Sequence, residues 1–203
     1  MEIQNAQVMK EARESLRGNW KWPIIVCIVY TILASLPNAI PDLGGVISFV
    51  ISGPLALGLA YYSLGFSRGE NPQWNILFDG FKRFVPSLLT YLYMTVLIVL
   101  WSFLLIVPGI LKALSFSQTF FVLADDPMIG PRQAVKKSAD LMKGYRWKYV
   151  CLNLRFFGWM LLCVLTLGIG FLWLYPYIQI SYAKFYDEVK KRKSVDTPSG
   201  LQA

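Results

Sequence analysis

The sequence predicts an all-α integral membrane protein. Six transmembrane helices pair as three helical hairpins in pseudo-threefold parallel repeats, with amphipathic interfacial helices added. Three observations predict this. Residues 85–107 form a run of 23 without a charge; at ~1.5 Å per residue it reaches ~34 Å, against a hydrocarbon core of ~30 Å. Lipid offers no partner to backbone N–H and C=O groups, so such a run is helical. Of the 20 lysines and arginines, all but Lys112 and Arg155 gather in segments on one predicted side of the spans. A glycine followed by aromatic and basic residues precedes each hairpin.

Composition agrees. Of 203 residues, 55% are hydrophobic and 16% charged, where soluble domains carry about 25% charge. The net charge of +8 is the positive-inside bias of short cytoplasmic loops rather than a nucleic-acid footprint. Cys27, Cys151 and Cys163 all lie in apolar runs and read as small buried residues, without a disulfide framework or metal-ligand spacing. There is no histidine, which removes the commonest general base and metal ligand.

The elements follow in order. In residues 3–17, Ile3, Ala6, Met9, Ala12 and Leu16 recur at helical spacing opposite Lys10, Glu11, Glu14 and Arg17. This predicts an amphipathic helix on the membrane surface, or an exposed helical arm. Trp20 and Trp22 then stand at interface depth as aromatic anchors, as Trp147 does later. Residues 23–36 are the first span; their basic flank imitates a signal peptide, but no small-x-small cleavage site follows. Residues 37–45 are a Pro/Gly loop, and residues 46–66 the second span, where Gly58, Ala56 and Ala60 allow close helix packing.

After a polar stretch to Arg83 come the third span, residues 85–107, and the turn Pro108-Gly109. Proline suits the first turn of the next helix, residues 110–124. Residues 131–143 predict a second interfacial helix, with Ala134, Val135, Ser138, Ala139 and Met142 on one face. Residues 149–166 and 171–186 are the last two spans, joined by residues 167–170. Residues 1–193 thus form one membrane domain, and 194–203 a disordered tail.

The hairpin starts are Gly18-Asn19-Trp20-Lys21-Trp22, Gly80-Phe81-Lys82-Arg83-Phe84 and Gly144-Tyr145-Arg146-Trp147-Lys148, spaced by 62 and 64 residues. They define repeats of about 18–70, 80–126 and 144–188. All three start from the same side, so the repeats are parallel, and both termini are expected in the cytoplasm. Each return helix carries a proline (Pro54, Pro108, Pro176). Each ends in acid: Glu70, Asp125 with Asp126, and Asp187 with Glu188. A helix C-terminus disfavours anions, so these acids are expected to pair with the basic starts of neighbouring repeats in a cytoplasmic ring.

Lys21, Lys82, Arg83, Arg146, Lys148 and Arg155 are the candidate lipid-headgroup contacts. Arg155, inside the fifth span, is either a functional intramembrane charge or, as favoured here, snorkels to the interface. Asp125-Asp126-Pro127 reads as a helix-ending turn sooner than as a cation site. No metal-ligand cluster, phosphate loop or nucleophile motif is present, so neither an enzyme nor a cofactor is expected.

Several motifs together resemble a bacterial membrane family known as domain of unknown function 975. They include Leu16-Arg17-Gly18-Asn19-Trp20, Ser52-Gly53-Pro54-Leu55-Ala56-Leu57-Gly58 and Phe78-Asp79-Gly80-Phe81-Lys82-Arg83-Phe84. Others are Ile106-Val107-Pro108-Gly109-Ile110, Leu141-Met142-Lys143-Gly144-Tyr145-Arg146-Trp147 and Thr166-Leu167-Gly168-Ile169-Gly170-Phe171-Leu172-Trp173. That family looks distantly similar to the membrane-anchor part of some glycerophosphodiester phosphodiesterases, whose catalytic domain has no counterpart here. The resemblance implies a six-span bacterial inner-membrane protein and supplies no reaction.

Two functional readings follow. One is a non-enzymatic module engaging inner-leaflet anionic lipid, a membrane or cytoplasmic protein partner, or both, since each juxtamembrane lysine or arginine gains ~1 kcal/mol at an anionic surface. The alternative is a small-solute or lipid transporter with a path along the repeat axis. Polar residues converging on a central cavity would favour transport; an axis filled with Leu, Phe and Gly would favour the module.

Overall fold

A computed structural model describes residues 4–39, 41–104, 106–166 and 168–196, and among these it is helical throughout, with no strand. The helices are α1 (Asn5–Leu16), α2 (Lys21–Ser35), α3 (Gly44–Ser67), α4 (Asp79–Lys82), α5 (Phe84–Leu104), α6 (Ile106–Phe116), α7 (Thr119–Asp125), α8 (Pro131–Met142), α9 (Arg146–Leu165) and α10 (Phe171–Asp196). Two 3₁₀ turns, Leu36–Ala39 and Trp74–Phe78, complete the order. The tail expected to be disordered, apart from 194–196, lies outside the described residues.

Among the described residues, four helical segments are long and apolar enough to cross a membrane: Gly44–Ser67, Phe84–Phe103, Val107–Asp125 and Arg146–Leu165. Six were expected. α2 is apolar but has 15 residues, a rise of ~22 Å against ~30 Å of hydrocarbon. α10 is longer, but its apolar part continues without a break into the charged residues 187–196. The return helix of the central pair is also interrupted, at Ser117 and Gln118, so that α6 and α7 share one span. Pro108 lies in the first turn of α6, where its missing N–H costs nothing. The pair Pro108-Gly109, expected as the turn itself, thus lies within the return helix, which begins at Ile106.

The centre of the molecule is a helix. α3 is buried over most of the stretch from Gly53 to Ser67, and it touches α2, α5, α7, α10 and the segment 74–82. Small residues allow this. A methyl group on Gly58 would stand 1.9 Å from the Leu77 carbonyl oxygen, and one on Gly80 would stand 2.0 Å from that of Pro54. The Gly58 expectation therefore holds, with a loop segment rather than a helix as the partner.

Gly80 also parts company with the other start glycines. Gly18 and Gly144 adopt φ of +89° and +86° ahead of α2 and α9, a conformation that side chains resist. Gly80 instead lies inside α4 and is held there by contact with α3. Residues aligned by the predicted repeat thus serve different physical ends.

Both amphipathic helices lay their apolar faces on protein. In α8, Ala134, Val135, Ser138, Leu141 and Met142 are buried and Ala139 half-buried, close to the predicted face. The Ser138 hydroxyl donates to the Ser115 carbonyl at 2.9 Å. In α1 the buried stripe is Asn5, Val8, Ala12 and Leu16, rotated from the predicted face: Ala6 is exposed and Met9 half-buried, while Ile3 lies outside the described residues. The rotation has a polar anchor, since the Asn5 amide donates to the Lys148 carbonyl at 2.8 Å. Ala12 and Leu16 join Leu59, Tyr62 and Phe66 of α3 and Ile180 of α10 in one apolar cluster. α1 is therefore built into the bundle rather than resting against it.

α9 and α10 meet through aromatic and polar contacts. The ring of Phe156 stands edge-on to Tyr177, with centroids 5.5 Å apart. The Tyr182 hydroxyl donates to the Asn153 side-chain carbonyl at 2.5 Å, and the Asn153 amide donates to the Tyr149 carbonyl at 2.8 Å. Tyr182→Phe leaves the Asn153 oxygen unpaired and is expected to lower stability by about 1 kcal/mol. The check is the thermal midpoint of the purified protein in mild detergent, and an unchanged midpoint would show the bond to be replaceable.

Candidate functional site: a charged clasp and its basic surroundings

Ser67 and Arg68 at the end of α3, Asp125 at the end of α7, and Tyr186, Asp187 and Lys190 in the C-terminal half of α10 bring six polar side chains together. Arg68, just past α3, points its guanidinium between two carboxylates: Nη2 lies 2.8 Å from Asp125 Oδ1 and 2.7 Å from Asp187 Oδ1. Its Nε donates to Asp187 Oδ2 at 3.3 Å, so the Asp187 contact is two-pronged. Lys190 pairs with Asp125 from the next turn of α10. The Tyr186 hydroxyl donates to Asp125 Oδ2 at 3.1 Å, and that of Ser67 to Asp187 Oδ2 at 3.3 Å. Two cations and two carboxylates balance.

The Asp125 side chain is only 9% exposed, while those of Arg68 and Lys190 keep 37% and 47% of their surface in solvent. The Asp187 carboxylate raises the Arg68 pKa above its ordinary value, more than burial lowers it, and Asp125 adds to the rise. Arg68 therefore stays charged, and the clasp joins α3, α7 and α10 at one end of the bundle.

This corrects the predicted ring of ion pairs. Asp125 and Asp187 do meet cations, but these are Arg68, just past α3, and Lys190 of α10. Asp126 accepts from the Met128 backbone N–H at 3.2 Å and pairs with Lys137 of α8 at 3.6 Å, which is the turn-forming role expected for Asp125-Asp126-Pro127. Glu70 folds back over Gly65, within 3.1 Å of where a methyl group there would lie.

The expected headgroup contacts divide. Arg83 is turned inward: its guanidinium donates to the Leu123 carbonyl at 3.1 Å and reaches the Tyr61 hydroxyl at 3.5 Å. It thereby satisfies a carbonyl near the C-terminus of α7, where a cation also suits the helix dipole. Lys82 is exposed and pairs with Asp79 at 2.7 Å. Lys21 is exposed at the start of α2, and Arg155 is exposed on α9 beside Leu154 and Phe157. Arg146 and Lys148 are half-buried, and Arg146 Nε is shielded without a hydrogen-bond partner among the described residues.

Of the aromatic anchors, Trp147 (73% exposed) and Trp22 face outward. Trp20 packs instead against the cluster of Ala12, Leu16 and Phe66. Lys112, the other charge inside a predicted span, lies over the Trp101 ring, 4.9 Å from its centroid.

Bulky side chains pack beside the clasp. Tyr62, Leu55 and Leu57 of α3, Leu123 of α7, Leu152 and Phe156 of α9, and Phe185 and Tyr186 of α10 are fully buried. Clefts open on the surface. One of about 370 Å³ lies between α1, α9 and α10, and another of about 450 Å³ lies between α8 and Lys193. Among the described residues no three potential metal ligands come together.

In the sequence, Arg68 reads as loop charge, Lys190 as C-terminal charge and Tyr186 as the end of the last span. Arg68 lies 57 residues from Asp125 and 119 from Asp187, so no local spacing announces the clasp.

A family model described as "Protein of unknown function (DUF975)" matches residues 1–120 and, overlapping these, residues 104–193. No curated protein and no solved structure matches the chain. The likeness to glycerophosphodiester phosphodiesterase anchors therefore gains no support. The two matched segments together cover both amphipathic helices, all four membrane-length segments and every residue of the clasp, and on that coverage the chain belongs to the DUF975 family.

Proposed function

We propose that this protein is a non-enzymatic module of the bacterial inner membrane that engages anionic lipid, a protein partner, or both at its cytoplasmic face. The observation that carries this reading is the packing of bulky, fully buried side chains of α3, α7, α9 and α10, where a transport path would need a polar cavity. α2 and α10 complete six spans in this proposal, α2 tilting little and letting Trp22 and Lys21 mark the interface. The pairs α2–α3, α5 with α6 and α7, and α9–α10 then form the three hairpins, and both termini are cytoplasmic. Lys21, Lys82, Arg146 and Arg155 with Trp22 and Trp147 form the lipid-facing set. Asp125, Asp187, Arg68 and Lys190 hold the cytoplasmic ends of the helices beneath it.

Transport remains the second reading. The buried Gln118 Oε1, without a partner among the described residues, is the observation on its side.

Native mass spectrometry of the protein released gently from its own membrane tests both. Retained anionic phospholipid, falling at least several-fold when Lys21, Lys82, Arg146 and Arg155 become glutamine, is the expected result. Arg83 is left intact because its hydrogen bond to the Leu123 carbonyl would confound the variant. A retained non-lipid solute would move the reading to transport, and a bare protein would leave a protein partner as the ligand.

A further inference from the structure

The cleft between α1, α9 and α10 combines an apolar body with one charge. Its floor is Cys163 and Leu174, both buried, and its walls are Trp159, Leu162 and Trp173. The polar side chains that line it are largely occupied. The Tyr177 hydroxyl donates to the Met9 carbonyl at 3.1 Å, and that of Thr166 donates to the Cys163 carbonyl at 2.9 Å. Arg13 of α1 is the one charged residue at the rim, and its side chain is exposed.

The cleft also has a direction. Leu16, one turn beyond Arg13, packs with Phe66, two residues before Arg68 of the clasp. Arg13 thus lies toward the charged end of the bundle. Thr166 and Gly170 lie at the opposite end, where α9 turns into α10. Along α9 the neighbouring surface is apolar and open, with Leu161, Val164 and Leu165 exposed. That is the side from which a membrane lipid would arrive.

We infer that this cleft holds one acyl chain of an anionic phospholipid, with the headgroup phosphate on the Arg13 guanidinium. The volume, about 370 Å³, falls within the ~300–1,000 Å³ typical of small-molecule sites. Wholly neutral ligands would leave the one cation unused, and soluble anions would leave the aromatic walls wet. Arginine matches a phosphate through paired N–H donors. The chain lies along α9 and α10 with its end toward their connecting turn, as an inner-leaflet lipid would. This inference rests on the lipid-binding reading above and moves the specific site from the basic helix starts to α1.

Native mass spectrometry on three variants separates the two. R13Q removes the charge; L162W fills the cleft from a position 54% exposed, where the fold tolerates bulk. R17Q, just past the end of α1 and outside the cleft, is the control. The expected result is a fall of at least ten-fold in the phospholipid-bound fraction for R13Q and for L162W, with R17Q like the parent protein. If R13Q and L162W keep their lipid while the four-glutamine variant of the helix starts loses it, the cleft is not the site and the broader reading survives. If the parent protein itself carries no phospholipid, the cleft proposal falls and the broader reading keeps only its protein partner.

Discussion

Gly80→Ala is expected to lower the thermal midpoint of the purified protein in mild detergent by roughly 6–10 °C, and Gly58→Ala by a similar amount. The new methyl group on residue 80 would stand 2.0 Å from the Pro54 carbonyl oxygen and 2.6 Å from the Gly58 nitrogen. Those neighbours are backbone, so no side-chain rotation relieves the contact. α3 and the segment 74–82 must separate, although Leu77 is fully buried between them. Overpacking costs ~1–3 kcal/mol, and backbone contact belongs at the upper end. At ~2–4 °C per kcal/mol for a chain of this length, the stated fall follows.

Gly158→Ala is the matching control. Nothing lies within 4 Å of the added methyl group, and alanine is favoured over glycine inside a helix by ~1 kcal/mol. Its midpoint should hold or rise. Equal shifts for Gly80→Ala and Gly158→Ala would sink the close-approach argument.

Asp125→Ala is expected to destabilise by about 2 kcal/mol, well beyond Asp126→Ala. The first change strips Arg68, Lys190 and Tyr186 of a shared acceptor. Removing one partner of a buried pair costs ~3–5 kcal/mol, but Arg68 and Lys190 are partly solvated, and the figure is reduced for that. Asp126 has an exposed pair at 3.6 Å, worth ~0–1 kcal/mol. High salt should erase the Asp126 effect and leave most of the Asp125 effect, since partly buried pairs are screened less. Detergent-phase unfolding of both variants at low and high salt checks this; indistinguishable losses would mean that the clasp does not hold the helix ends.

Helical runs could be read directly from residues 46–66, 85–107 and 149–166, because apolar length and absence of charge act locally. The amphipathic period of α8 was legible for the same reason, as was the turn-forming role of Asp126. The six-span expectation weakened where length and composition compete. α2 is apolar yet short, and α10 carries its apolar start straight into a charged helix, because a helix does not end where its hydrophobicity does.

The repeat was drawn from Gly18, Gly80 and Gly144, but one residue type serves two physical needs. Gly18 and Gly144 supply positive φ, whereas Gly80 supplies room for α3, and a sequence shows neither φ nor neighbours. The face of α1 differs from the one its apolar period predicts because Asn5 finds the Lys148 carbonyl 143 residues away.

Composition and charge order alone thus determine that the chain is helical and apolar enough for membrane spans, and where its cations gather. Which cations meet which acids, and which stay exposed, was decided by packing. Arg83 turns inward to a carbonyl, Arg68 joins Asp125 and Asp187, and Arg13 is left at the rim of an apolar cleft. These partners are far apart in the chain, and pairing energy depends on distance and burial, which only the folded bundle sets.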